Sequence, residues 1–192
     1  MITITVLAEN TARGAGILGE HGLAFWIETG TQRVLFDTGQ GMALVPNAAR
    51  LGIDLATADA IVLSHGHFDH VGGLEAALAQ PDPLLDDQAL YLPTAQGVIV
   101  IFGCAHSGAI NTLRHIASLT GDTRIRLLLG GLHLESAAPR RMEETVRALR
   151  VCRPQKMGFC HCTGLPAIRR LWDEFPDACL QAHAGLRLEL AD

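Results

Sequence analysis

Residues 63–73 read LSHGHFDHVGG and place His65, His67, Asp69 and His70 directly after the apolar run AIVL. In an extended segment, residues two apart point to the same side, so His65 and His67 are expected to bind one metal ion together. Asp69 and His70 are adjacent, and a turn at that point would direct both toward a second ion. Imidazole and carboxylate ligands suit zinc, iron, manganese or nickel, and the ligand types alone do not choose among these metals.

The sequence around this stretch predicts strands first and then repeated strand–helix units. The segments ITITVLA, LAFWIETG and RVLFDTG predict an antiparallel meander at the start of the chain. Four apolar strands follow, DAIVLSH, GVIVIFGC, IRLLLGG and KMGFCHC, and a helix is predicted after each, beginning with a short one over residues 72–80. Fully apolar strands are typical of a sheet that is covered on both faces. The segment CLQAHAGLRLEL predicts one terminal strand over residues 179–190. This order predicts a single α/β domain spanning residues 1–192, with helices covering the sheet.

Histidine follows all four apolar strands at the same kind of position. These residues are His65, His106, His133 and His161. In layered α/β folds, ligand sites gather where the carboxyl ends of neighbouring strands meet. The four histidines are therefore expected to contribute to one site.

Composition and charge exclude several classes of function. The net charge is -5 and no run of lysine and arginine is present, which argues against binding to nucleic acid or to an anionic membrane. No apolar stretch reaches membrane-spanning length, and the first residues have no secretion-signal pattern. Five cysteines, an odd number, fit a reducing compartment better than a disulfide framework. A cytoplasmic protein that acts on a small molecule is expected.

The segment HGHFDH closely resembles the HxHxDH signature of the metallo-β-lactamase superfamily. The segments EHGLAFWIE, VLFDTGQG, LGIDL, GCAHSGAIN, GGLHL and HCTG resemble one branch of that superfamily, and the match runs in order through nearly the whole chain. This branch is often labelled dihydropterin-ribofuranosylaminobenzene-phosphate synthase-like, or simply metal-dependent hydrolase. The resemblance implies a four-layer αβ/βα sandwich with a metal site at one edge.

The resemblance also implies a ligand set for two divalent ions, with zinc the first expectation. The first ion would be held by His65, His67 and His106, and the second by Asp69, His70 and His161. Asp37, in the segment LFDTG, would lie behind the ligands and orient the loop that carries them, unless it serves only as a turn or cap residue.

Two departures from the family pattern affect the site and the substrate. Many members have an aspartate near the fourth motif that bridges both ions, whereas this chain has LLLGGLHLES with His133 instead. Either His133 contacts metal or substrate, or it only orients other groups and the second ion is bound more weakly. The chain is also short between Gly73 and Gly103, where the branch carries a longer insert that helps to form the substrate cleft. A more open cleft is expected, or one that a second copy of the chain completes in a homodimer.

The cysteines beside the histidines allow two interpretations. If KMGFCHC is a strand throughout, Cys160 and Cys162 point away from His161 and are buried, inert thiols; the alternative is a ligand or redox role. Cys104 is expected to be a small packed hydrophobe, with lining of the pocket as the alternative. Among the remaining candidates, His115 is expected to be solvated, and His183 to be structural.

The pattern predicts a metal-dependent hydrolase with a small ester, lactone, thioester or phosphoester substrate. Two ions would hold a water and lower its pKa toward about 7, which gives hydroxide at neutral pH. Asp69 would orient this hydroxide and accept its proton, and His133 would donate a hydrogen bond to the developing oxyanion. The alternative from another class is a metal-binding module or sensor without efficient turnover.

Overall fold

The computed structural model describes residues 1–73 and 87–191. By its internal contacts the chain divides into two compact units, Met1–Asp86 with His183–Asp192, and Asp87–Ala182. We call these the first unit and the second unit. The helix predicted over residues 72–80 falls almost entirely outside the described residues. The prediction of a single domain over residues 1–192 stays a prediction.

The described residues form ten strands and five α-helices. The strands are β1 Ile2–Ala8, β2 Ala24–Glu28, β3 Arg33–Phe36, β4 Ala60–Val62, β5 Ala89–Thr94, β6 Gly97–Phe102, β7 Ile125–Gly130, β8 Lys156–Phe159, β9 Cys179–Gln181 and β10 Arg187–Leu190. The helices are α1 Leu44–Arg50, α2 Phe68–Val71, α3 Ala109–Thr120, α4 Pro139–Cys152 and α5 Leu165–Glu174. Short 3₁₀ turns cover Leu55–Thr57 and His161–Thr163.

The first unit is built on a mixed sheet with the order β10-β1-β2-β3-β4. Neighbouring strands are antiparallel except for β3 and β4, which are parallel, so the predicted meander is confirmed. Helix α1 presents Leu44 and Ala48 to a core that includes Trp26 and Leu35. Both helix residues lie on one face, since they are four positions apart in the helix. Asp37 follows β3, and the candidate metal ligands of this unit follow β4.

The second unit is built on a sheet with the order β5-β6-β7-β8-β9, in which β6 to β9 are parallel and β5 is antiparallel. Strands β6 and β7 are buried at every position, as predicted for strands covered on both faces. Apolar residues of α3, α4 and α5 pack on this sheet in one core. Since β6, β7 and β8 are parallel neighbours, the residues that follow them lie at the same edge.

The structure corrects three expectations about the strands and adds one strand. Strand β4 was expected to be fully buried, but Ala60 and Ile61 are exposed because β4 lies at the end of its sheet. Strand β5 was not predicted. The strand expected over residues 156–162 ends at Phe159, because the backbone turns at His161, where φ is +50°. The single strand expected over residues 179–190 is two strands in different sheets, with a glycine turn at Gly185 before the second.

Candidate metal centre

Asp37 fixes the loop of the first unit that carries His65, His67 and His70, which we call the histidine loop. Its side chain is fully buried and its backbone φ is +59°, a conformation that favours asparagine and aspartate among residues with a side chain. The carboxylate accepts hydrogen bonds from the Ser64 amide and the Ser64 hydroxyl, each at 2.7 Å. The carboxylate oxygen that accepts from the hydroxyl, Oδ2, also lies 2.7 Å from Nδ1 of His70. Asp37 therefore ties the end of β3 to the loop after β4.

This network defines which nitrogen carries the proton in two histidines. A carboxylate oxygen only accepts, so His70 donates from Nδ1 and its lone pair is on Nε2. The Ser64 hydroxyl gives its single proton to Asp37, so it accepts from Nδ1 of His65, which lies 2.8 Å from Oγ. The lone pair of His65 is consequently also on Nε2. One buried aspartate thus prepares both imidazoles as ligands through the same nitrogen.

The four predicted ligands of the first unit form two donor pairs. Nε2 of His65 lies 3.2 Å from Nδ1 of His67, close to the about 3.3 Å that separates two nitrogen ligands of a tetrahedral zinc ion. Nε2 of His70 lies 3.7 Å from Oδ2 of Asp69. The first pair follows from the extended backbone at His67, and the second from helix α2, which begins at Phe68. The structure thus brings together the pairs that the sequence predicted would act together.

Glu20 is a buried carboxylate that the sequence analysis did not identify as part of this region. Its two oxygens accept hydrogen bonds from the backbone amides of Gln40, Met42 and Ala43, at 3.0 to 3.1 Å. These bonds fix the loop between β3 and α1. The signal in the sequence was an acidic residue in a glycine-rich loop, which by itself does not distinguish a buried anchor from a solvated side chain.

The candidate residues of the second unit follow three neighbouring parallel strands. His106 follows β6, His133 follows β7 and His161 follows β8. The imidazole rings of His106 and His133 have their centroids 4.3 Å apart. The prediction that these strand ends gather histidines at one edge is confirmed for this unit.

Left-handed backbone marks the same loops. Among the described residues, five non-glycine residues have positive φ, and four of them are in the candidate loops: Asp37, Ala105, His133 and His161. Such a conformation costs on the order of 1–3 kcal/mol per residue and is typical of functional sites, where surrounding contacts hold it in place. The strain here directs the side chains that leave β6, β7 and β8.

The loops after β7 and β8 hold each other in place. The Leu132 amide donates to the Thr163 hydroxyl at 2.9 Å, and the Leu134 amide donates to the Cys162 carbonyl at 3.1 Å. Gly131 allows this approach, since a Cβ there would lie 2.7 Å from the Cys162 sulfur. The segments GGLHL and HCTG are therefore one structural feature built from two parts of the chain. Thr163 has a structural role in this contact.

Cys104 and Cys162 have polar contacts that the expectation of inert packing did not include, whereas Cys160 is buried as expected. The 3₁₀ turn at His161–Thr163 replaces the predicted strand, so Cys162 does not alternate away from His161. Sγ of Cys104 lies 3.1 Å from Nε2 of His161, and the Cys162 sulfur accepts from the His133 amide at 3.3 Å. The ligand atoms of Cys104, His161 and Cys162 all lie within 4.8 Å of one another. Cys160 is buried, and its amide donates to the Gly130 carbonyl, as in a strand extension.

The remaining candidates take peripheral positions. His115 is exposed on α3, as expected. His21 is 68% exposed, and its Nδ1 lies 3.6 Å from a carboxylate oxygen of Asp69. Nδ1 of His183 lies 2.9 Å from the Ala184 carbonyl.

The donor sets in both units fit divalent metal ions. The first unit offers imidazole nitrogens and a carboxylate with outer partners that fix their orientation, which is how protein metal ligands are commonly supported. The second unit offers imidazole nitrogens and thiol sulfurs at the carboxyl ends of parallel strands. Nitrogen and sulfur donors with a carboxylate suit zinc and neighbouring transition metals.

Comparison with known proteins shows which family this chain is similar to. The model of the metallo-beta-lactamase superfamily matches residues 18–85, which contain Asp37 and the whole HGHFDH segment. A crystal structure of Tm1679, a metal-dependent hydrolase of the beta-lactamase superfamily, matches with a TM-score of 0.88 and 26% identity over 100% of both chains. The resemblance to the metallo-beta-lactamase superfamily that the HGHFDH segment carries is thereby confirmed. Its fold class is the one that the sequence predicted.

Two further relatives refine this placement. The 7,8-dihydropterin-6-methyl-4-(beta-D-ribofuranosyl)-aminobenzene-5'-phosphate synthase of Methanocaldococcus jannaschii is 24% identical over 279 residues, covering 96% of this chain and 95% of the synthase. The resemblance to the branch carrying that label is thereby confirmed. The aligned length exceeds the 192 residues of this chain, so the synthase has additional residues. A diphosphatase from the PhnP family shares the fold, with a TM-score of 0.57 and 16% identity over 100% of this chain and 98% of the diphosphatase.

In the described part of the chain, none of the helices combines the length and apolar character needed to span a bilayer.

Proposed function

We propose that this chain is a hydrolase with a dinuclear metal centre. The first ion would be bound by His65, His67 and His106, and the second by Asp69, His70 and His161. The observation that carries the proposal is the Asp37 network. It places the lone pairs of His65 and His70 on Nε2 through bonds of 2.7 to 2.8 Å, and a histidine loop with no ligand to orient has no need of such an arrangement.

The residues of the chain would divide the chemical work. When bound, the two ions would supply Lewis-acid polarisation and a water acidic enough to react near neutral pH. Asp69 would orient the attacking water and accept its proton through a carboxylate oxygen. His133, where many relatives of this superfamily have an aspartate, would donate a hydrogen bond to the oxygen that becomes negative.

Small esters, lactones, thioesters and phosphoesters are the substrate classes that this chemistry serves. Tm1679 is described as a metal-dependent hydrolase, which supports hydrolysis as the reaction. The related Methanocaldococcus protein is named a 5'-phosphate synthase, so a phosphorylated ligand belongs among the candidates.

We further propose a cytoplasmic enzyme that acts on a small molecule rather than on nucleic acid or at a membrane. All five cysteines are outside disulfides, which fits a reducing compartment, and the net charge is -5. A homodimer that completes the cleft is the partner hypothesis, and the molar mass in solution tests it.

The proposal is tested with protein purified without added metal. Bound metals are measured by elemental analysis, and turnover is measured on a panel of phosphodiester, phosphomonoester, lactone and thioester substrates. We expect close to two equivalents of metal per chain. Turnover of at least one substrate class should disappear on chelation and return with zinc, iron, manganese or nickel. Turnover that survives complete removal of metal would contradict the proposal.

The second candidate function is a metal-binding module without efficient turnover. The short segment between Gly73 and Gly103 favours it, because in this branch a longer insert helps to form the cleft. Stoichiometric metal binding with no turnover across the panel would support this candidate over the hydrolase. His115→Ala provides a control for both experiments, since His115 is exposed on α3 and should leave metal content unchanged.

A further inference from the structure

We propose that Cys104 and Cys162 are sulfur ligands of a metal ion that His161 also binds. This subsite, which we call the sulfur subsite, would take a thiophilic divalent ion such as zinc, cobalt or ferrous iron. It shares His161 with the centre proposed above, but it does not require the chain to be a hydrolase. The ligand set proposed for that centre contains only histidine and aspartate.

The contact between Cys104 and His161 is the first observation. Cys104 is 3% exposed, and its sulfur lies 3.1 Å from Nε2 of His161 rather than only against apolar side chains. Sulfur and nitrogen ligands of one tetrahedral zinc ion lie about 3.5 Å apart, given bonds of about 2.3 and 2.1 Å. The two side chains would therefore need to separate by only about half an ångström to admit an ion.

Cys162 supplies the second sulfur from the same turn as His161. Its sulfur accepts the amide N–H of His133 at 3.3 Å, and a hydrogen bond of this kind stabilises a thiolate. As a thiol, it is placed to donate to the Cys104 carbonyl at 3.5 Å. A zinc-binding cysteine is deprotonated, so the amide contact suits the bound state.

The backbone around the sulfur subsite is arranged to bring these atoms together. His161 and Ala105 are both in the left-handed region, with φ of +50° and +54°. Gly131 has no room for a side chain, because a Cβ would lie 2.7 Å from the Cys162 sulfur and 2.5 Å from the Gly103 carbonyl oxygen. A pair of thiols with no shared ligand would not need strained backbone on one side and a glycine on the other.

Sulfur ligation would narrow the choice of metal. Thiolates prefer zinc, cobalt, ferrous iron and copper(I), whereas manganese, magnesium and calcium prefer oxygen ligands. The sulfur subsite therefore predicts that manganese binds poorly here, although histidine and aspartate alone would accept it. Selection among metals is the property that the two cysteines would add.

The other cysteines of the second unit provide matched controls. Cys152 ends α4 and Cys179 begins β9. Burial raises the pKa of both thiols, to about 11 for Cys179, so they stay protonated near neutral pH. Neither belongs to the group formed by Cys104, His161 and Cys162.

The test uses cobalt as a spectroscopic probe in the full-length chain. Protein loaded with cobalt(II) is compared among the wild type, Cys104→Ser, Cys162→Ser, Cys152→Ser and Cys179→Ser. We expect a thiolate-to-cobalt charge-transfer band in the near ultraviolet for the wild type and both controls, and a weaker band for Cys104→Ser and Cys162→Ser. Chelator competition should show zinc affinity reduced at least ~10-fold in the latter two, the low end of the loss seen when a metal site loses a supporting group.

A measurement on the unaltered protein keeps the proposal testable if a serine variant fails to fold. X-ray absorption of the zinc-loaded wild type should show zinc–sulfur distances of about 2.3 Å. Zinc surrounded only by nitrogen and oxygen would overturn the proposal, as would a cobalt band that persists in both Cys104→Ser and Cys162→Ser. Sulfur ligation without turnover would leave the sulfur subsite standing while the hydrolase fails, and turnover without sulfur ligation would do the reverse.

Discussion

The two units orient their candidate metal ligands by different means. In the first unit, one short loop supplies all the predicted ligands, and a buried carboxylate fixes two of them through hydrogen bonds. In the second unit, three separate strand ends each supply one histidine, and left-handed backbone and interlocked loops direct them. The first arrangement depends on charge and on proton placement, and the second depends on backbone geometry. Substitutions in the two units should therefore affect activity and stability in different ways.

Asp69→Asn should have the largest effect, because it would remove the group proposed to accept the proton. We expect turnover to fall roughly 10²–10⁴-fold, the range for loss of a general base. The free energy of unfolding should change by less than about 1 kcal/mol, since Asp69 lies in the short helix α2 and remains partly exposed. Activity assays and denaturant titration measure the two quantities.

Asp59→Asn is the matched control for that experiment. Asp59 is in the same unit, and its carboxylate accepts one backbone amide, that of Arg33, at 2.7 Å. It should keep wild-type turnover. A loss of folding equal to the loss of activity in Asp69→Asn would count against the catalytic role of Asp69.

Asp37→Asn tests whether the first unit depends on a buried charge. Asparagine tolerates the positive φ, so the backbone is preserved, but its amide group cannot accept at both oxygen positions. We expect the free energy of unfolding of the metal-free chain to fall by about 2–4 kcal/mol. Asp54→Asn is the control, because that carboxylate accepts one exposed backbone amide. A change below about 1 kcal/mol in Asp37→Asn would show that the network is dispensable.

Thr163→Val tests the interlocked loops of the second unit. The change preserves side-chain shape and leaves the buried Leu132 amide without its acceptor, which should cost about 1–2 kcal/mol. Thr145→Val is the control, because the Thr145 hydroxyl donates to the Arg141 carbonyl within α4 and its loss should cost less than about 0.5 kcal/mol. Chemical denaturation compares the two. Equal effects would mean that the contact between GGLHL and HCTG contributes nothing specific.

His21→Ala should have the smallest effect. His21 lies 3.6 Å from a carboxylate oxygen of Asp69, but its side chain is 68% exposed, and exposed ion pairs contribute about 0–1 kcal/mol. Turnover and metal affinity should each change by less than about fivefold. A larger loss of metal affinity would show that His21 acts as a ligand. In that case, a second loop would also supply a ligand in the first unit.

Local patterns in the sequence predicted the donor pairs of the first unit well. The pairs His65 with His67 and Asp69 with His70 depend on spacing within a few residues, and spacing is visible in a sequence. The contact between Cys104 and His161 joins residues that are 57 positions apart and depends on a left-handed φ at His161. The interpretation of KMGFCHC as one strand could not reveal this contact, because the hydrophobic pattern does not indicate where the backbone turns.

The strand predictions failed for a related reason. Periodicity indicates which residues are buried but not which sheet they join, so one alternating run was read as one strand although it forms β9 and β10 in separate sheets. Strand β5 was missed because Pro93 and a mixed burial pattern weaken the signal of an edge strand. The role of Glu20 depends on three backbone amides from another part of the chain, which no local motif encodes.

The pairing of β1 with β10 places Ile2 opposite Leu190 in the register of the first unit's sheet. Strand β1 must therefore wait for β10, which follows the whole second unit in the chain, before this edge is covered. The second unit is continuous from Asp87 to Ala182 and has no such dependence. During synthesis, the second unit can finish folding first, while the sheet of the first unit stays open at one edge until β10 has been made.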